Sequence, residues 1–140
     1  MKNILNLDFH HLGLATNNLT TALKYLKFLG YKIKSIKINA AYNVRNAICE
    51  SNHMPNIEVI SKIKGKKSPI DNLIKDNKNL IYHVCYISEN LDKTLETLKK
   101  KKVIFTRISE PQKSPFENVH SSFFYINGIG LVEIMDKSKY

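Results

Sequence analysis

The chain has 140 residues, 43% of them apolar and 24% charged, enough to bury the core of a single domain. No stretch reaches the roughly 20 apolar residues of a membrane span, MKNILNLDFHHLG lacks a signal-peptide core, and Cys49 and Cys85 form no CxxC motif. These features lead us to expect a cytoplasmic protein with reduced thiols and no membrane partner; the net charge of +10 is almost all lysine, Arg45 and Arg107 being the only arginines, which argues against nucleic acid as a partner.

Phe9 to Thr16 reads as a strand bounded by the polar TNN. Leu19, Ala22, Leu23, Leu26 and Leu29 then follow helical spacing, with Asn18 as the cap and Gly30 as the stop. Three strand-like pieces come next, Tyr31 to Ile38, Val44 to Ser51 and Ile57 to Ile63. SPID opens a short helix, Ser68 to Asp76, with Pro69 in its first turn. The pattern then restarts: a strand from Leu80 to Ser88, an amphipathic helix from Leu91 to Lys102, and strands Val103 to Ile108, Ser121 to Ile126 and Leu131 to Met135. Each half therefore reads βαβββ.

The restart is a repeat. YHVCYISENLDKTLETL, from Tyr82, stands 72 positions after HHLGLATNNLTTALKYL; it aligns His83 with His11, Asn90 with Asn18 and Leu91 with Leu19. IEVIS, from Ile57, matches VEIMD, from Val132, at an offset of 75, which needs only a loop insertion. Self-similarity of this length implies two copies of one supersecondary unit. An open four-stranded sheet leaves an edge and a face uncovered, so the expected architecture is α+β, two paired βαβββ modules in a curled, cup-shaped mixed sheet with helices outside. The modules run over about 9–63 and 80–136, joined by the helix at about 68–76, within one domain.

The repeat places His11 and Glu58 in one half and His83 and Glu133 in the other, each in an otherwise apolar strand where an unpaired carboxylate is costly. A lone strand histidine is more often a satisfied structural group than a ligand. Recurrence of the same His and the same Glu shifts the balance toward a shared site for one divalent transition metal, Zn, Ni, Co, Mn or Fe. By alternation His10 faces away from His11, toward helix packing, and Cys85 shares the His83 face. His53 lies in the polar loop SNHMPN, and His120, after SPFENVH, is a substrate-binding candidate.

Paired βαβββ modules with this His, Glu, His, Glu order resemble the vicinal-oxygen-chelate superfamily, which includes glyoxalase I, extradiol dioxygenases, methylmalonyl-CoA epimerase and metal-free antibiotic-binding proteins. IEVISKIKGKKSPIDNLIKDNKNLIYHVCYIS, LKKKKVIFTRISEP and GIGLVEI are most similar to the epimerases. The resemblance implies metal ligation by His11, Glu58, His83 and Glu133, a homodimer, and an acyl-CoA or other thioester substrate losing the proton α to its carbonyl. Glu133 would be the base, and counting back from Glu58 puts Tyr42 where the epimerases carry a second carboxylate. Glyoxalase I, whose two metal-bound glutamates could serve both faces of a substrate, and a metal-free binding protein are the rival expectations.

Overall fold

The computed structural model describes residues 3–139, which hold two α-helices and nine strands, the expected α+β class. They fall into two compact units, residues 11–82 and residues 83–139 together with 3–10. The first half of β1 (Leu7–Thr16) thus belongs with the later unit.

In the unit formed by residues 11–82, the strand order is β2 (Lys32–Asn39), β3 (Val44–Glu50), β4 (Ile57–Lys62), β1. β4 runs parallel to β1, and the other pairs are antiparallel. Helix α1 (Leu19–Phe28) opens on Asn18, whose side chain accepts a hydrogen bond from the Thr21 amide at 3.0 Å. Gly30, at φ +93°, turns the chain out of the helix in the left-handed conformation that glycine tolerates. Leu23 and Leu26 lie four to seven positions along one stripe from Leu19 and pack onto Ala47, Cys49 and Val59. The opposite face of the same sheet buries Ala15, Val44 and Ile60 beneath Ile70 and Ile74. Burying side chains of this size stabilises the fold by about 1.5–3 kcal/mol each for the larger aliphatics.

Ile70 and Ile74 sit in a turn rather than the continuous helix expected over Ser68 to Asp76. The Ser68 amide and hydroxyl both donate to the Asp71 carboxylate, and the Ile74 amide reaches the Ile70 carbonyl at 3.1 Å. After this one turn, a 3-10 turn at Lys75–Asn77 carries Asp76 and Asn77 at φ 60° and 58°, which no α-helix accommodates.

The other unit repeats the plan, with β5 (Leu80–Ser88, from His83 onward), β9 (Gly130–Asp136), β8 (His120–Ile126) and β6 (Phe105–Arg107) in spatial order. β5 and β9 are parallel, as β1 and β4 are. Helix α2 (Leu91–Lys100) is capped by Asn90, which accepts from the Lys93 amide at 3.1 Å. Leu91 packs with Phe124, Ile126, Val132 and Ile134 on the helix-covered face. Cys85, Val119 and Met135 cluster on the other. The expected strand from Val103 to Ile108 is shorter, and a two-residue strand, β7 (Gln112–Lys113), also pairs with β8. Pro111 lies between them, and proline has no N–H to donate to a ladder.

Candidate metal centre

Parallel pairing sets the register on which the site is built. In one unit Gly13 of β1 stands opposite Glu58 of β4; in the other Cys85 of β5 stands opposite Glu133 of β9. Residues two apart on a strand share a face, so His11 shares the face of Gly13 and His83 that of Cys85, each diagonal to a glutamate. His11 Nε2 lies 2.8 Å from Glu58 Oε2, and His83 Nε2 lies 3.2 Å from Glu133 Oε2. The repeat noticed in the sequence is thus a repeat of register and of side-chain contact.

All four side chains are buried, His11 and His83 at 1% and 3% exposure, Glu58 and Glu133 at 7%. The ladder partners on the same face are apolar or small: Gly13 and Ile48 stand opposite Glu58, and Cys85 and Phe123 opposite Glu133. A carboxylate taken out of water into such surroundings is costly unless it gains strong partners. The donor set suits a borderline divalent ion, imidazole nitrogen with carboxylate oxygen. Two ligands on bonds of about 2.0–2.2 Å lie roughly 3 Å apart, and the pairs measure 2.8 Å and 3.2 Å. The residues present therefore fit a metal.

Two further contacts differ between the halves. Glu58 Oε1 accepts a hydrogen bond from the buried amide of Asn46 on β3. The His83 ring meets Phe123 edge to face, with centroids 5.2 Å apart and planes at 85°. Neither residue stood out as functional in the sequence. Asn46 had one signal: in VRNAICE it falls on the face of Val44 and Ile48, an amide where alternation asks for an apolar side chain.

The remaining candidates are placed elsewhere or differently. Tyr42 lies in the turn before β3 and packs, half-buried, against the Val44 and Ile60 cluster. Val44 pairs with Lys62, four positions along β4 from Glu58, a separation of roughly 13 Å along the strand. Glu50, the acid nearest Tyr42 in the sequence, ends β3 and pairs with Lys34 at 3.6 Å, in solvent. His120 opens β8 opposite Asp136 and Lys113 and is half-buried. His10 does not pack beneath a helix as alternation suggested: Leu7 joins the α2-side cluster and Phe9 stacks edge-on against Tyr86, so His10 points the other way. Its Nε2 contacts Glu117 Oε1 at 2.6 Å. His53 is exposed in its loop. Cys49 lies on the helix-covered face among Leu23, Leu26 and Tyr31, where burial pushes its thiol up to about 11. Among the described residues no helix is long and apolar enough to cross a membrane.

Solved structures share this fold. The chain is similar to methylmalonyl-CoA epimerase from Mycobacterium tuberculosis, with 19% identity over 91% of this chain and 86% of that one and a TM-score of 0.74. It is also similar to a hypothetical protein from Bacillus halodurans, with 20% identity, 96% coverage of both chains and a TM-score of 0.75. A third likeness is to a single-residue variant of the Streptomyces coelicolor methylmalonyl-CoA epimerase in complex with 2-nitronate-propionyl-CoA: 15% identity, 93% and 96% coverage, TM-score 0.71. No match was found among curated protein sequences. The sequence profile of one family matches residues 10–125. With most of its length matched, the chain belongs to the glyoxalase/bleomycin resistance protein/dioxygenase superfamily.

Proposed function

We propose that this protein is a metal-dependent isomerase of the epimerase type, acting on a proton α to an activated carbonyl, with an acyl-CoA thioester as substrate. The observation that carries the proposal is the twin register: two parallel strand pairs, in two copies of one unit, each present a buried His–Glu pair at ligand spacing. In this reading the two modules act as one domain, and His11, Glu58, His83 and Glu133 hold a single divalent ion. When bound, such an ion (Zn, Ni, Co, Mn or Fe) would supply Lewis-acid polarisation of the thioester carbonyl.

The chain's own residues do the rest. Glu133 would remove the α-proton through a carboxylate oxygen and hold it there for return in the reverse direction. Inverting the centre requires a proton from the opposite face. On the resemblance we assign Tyr42 there, its phenol O–H the donor in place of the usual second carboxylate; from the turn before β3 its ring would have to reach back along the face of Val44 and Ile60. His120 contacts the substrate, and the lysine-rich surface attracts its phosphates. A cytoplasmic homodimer completes the proposal.

One observation favours a second reading. Both halves carry a glutamate in the same register, so two carboxylates could serve both faces of a substrate without Tyr42, as in glyoxalase I acting on a glutathione hemithioacetal. Incubating the metal-loaded protein in D2O with methylmalonyl-CoA, and separately with the hemithioacetal of methylglyoxal, distinguishes the two. Deuterium at the α-carbon of the thioester supports the first reading, and thioester formation from the hemithioacetal supports the second. Tight binding of small molecules with turnover of neither would move the protein to the metal-free binding class.

A further inference from the structure

The two halves match in strand register but not around their carboxylates. On β3, Ile48 stands opposite Glu58 and Asn46 opposite Ile60; on β8, Phe123 stands opposite Glu133 and Ser121 opposite Met135. Asn46 and Ser121 therefore occupy equivalent places. The amide reaches Glu58, its Nδ2–H donating to Oε1. This assignment is chemical: an ionised carboxylate only accepts, so the nitrogen must be the atom that faces it. The other end of the amide has nothing. Asn46 is 5% exposed, and its Oδ1 is buried with no hydrogen-bond partner among the described residues.

That orphaned carbonyl argues against a stabilising role. An unsatisfied buried acceptor offsets much of what one hydrogen bond contributes, and an apolar side chain would join Val44, Ile60 and Ala15 on this face. An amide at position 46 makes sense through what it does to Glu58. With Oε1 engaged by the amide, the carboxylate cannot rotate freely, and Oε2 alone remains directed at His11.

Resting on the metal reading above, we propose that Asn46 is a positioning residue that fixes Glu58 as a one-oxygen metal ligand. Glu58 is thereby held as a ligand through Oε2.

The test compares Asn46→Leu with Asn46→Ser, the latter installing the side chain that the other half already carries at this place. Cobalt(II) affinity is measured by competition with a chelator, together with the visible absorption of the bound ion and the thermal midpoint of the metal-free protein. Both variants are expected to bind cobalt about ten- to hundredfold more weakly, with an altered spectrum, while the metal-free midpoint stays within a few degrees of the unsubstituted chain. Thr94→Val, which removes the buried Ser88–Thr94 hydrogen bond of 2.9 Å in the other unit, serves as control and should lower the midpoint without changing the affinity. Unchanged affinity in both variants overturns the inference, as does a lowered midpoint with affinity intact. An unsubstituted protein that takes up no cobalt defeats the metal reading itself and this inference with it, and that result is recognised because the parent is silent too.

Discussion

Replacing Asn18 and Asn90 by alanine, singly and together, probes whether the two halves are one unit used twice. Both asparagines cap a helix through the same bond, to the amides of Thr21 at 3.0 Å and Lys93 at 3.1 Å. Each cap residue's own amide donates in turn to a hydroxyl two positions back, Asn18 to Thr16 and Asn90 to Ser88, both at 3.1 Å. Losing an asparagine cap costs about 1 kcal/mol. For 140 residues the unfolding entropy is roughly 0.3 kcal/mol/K, so each alanine should lower Tm by about 3–4 °C. The sites lie in separate units and share no partner, so the double variant should lose roughly 7 °C, the sum of the singles. Asn18→Asp should hold or raise Tm, because α1 has no acidic residue in its first turn to meet the helix dipole. Thermal unfolding followed by circular dichroism, in chelator so that bound metal adds nothing, measures all of these. Shifts below about 1 °C, or one half responding and the other not, would refute the repeat as a structural unit.

Three more outcomes follow from particular side chains. The Cys49 thiol, raised by burial to about 11, stabilises the folded state fully below its ordinary value near 9; that contribution is lost as pH rises through 9 to 11. Urea midpoints at pH 8 and 10.5 should therefore converge in Cys49→Ala, and an equal alkaline loss in parent and variant sinks the explanation. Asp71 is held below the usual carboxylate range by the Ser68 amide and hydroxyl and, less strongly, by Lys62. It stabilises the fold above its unfolded value, and the benefit fades as pH falls below about 4; Asp71→Asn should show a flatter acid limb, read by the same urea titrations. Tyr42→Phe should lower turnover at least tenfold with little change in KM if the phenol returns the proton, whereas unaltered kinetics would remove Tyr42 from the mechanism.

Much of this architecture was legible because the repeat constrained it. An aligned His83 and His11 or Glu133 and Glu58 requires matching strands, and the parallel registers of Gly13 with Glu58 and Cys85 with Glu133 follow the same offsets. Helix limits were readable from Asn18, Gly30 and Asn90, whose local chemistry does not depend on distant contacts. The misreadings come from tertiary effects. SPID does begin a turn, but left-handed Asp76 and Asn77 end it. Alternation misplaced His10 because it assumed one phase along β1, whereas Leu7 and Phe9 fix its direction toward Glu117. Asn46 and Phe123 stayed hidden since their contacts are a diagonal between neighbouring strands and a ring-to-ring approach between strands far apart in sequence, neither of which a residue pattern displays.

The central claim is that the duplicated His–Glu pairs hold a metal, and elemental analysis by plasma mass spectrometry tests it most directly. The protein is purified beside His83→Ala, and each is also loaded with Co, Ni, Mn and Zn and then desalted. About one transition-metal ion per chain, lost in the variant, is the predicted result. No metal in the unsubstituted protein under any loading, or equal metal in the variant, would contradict it.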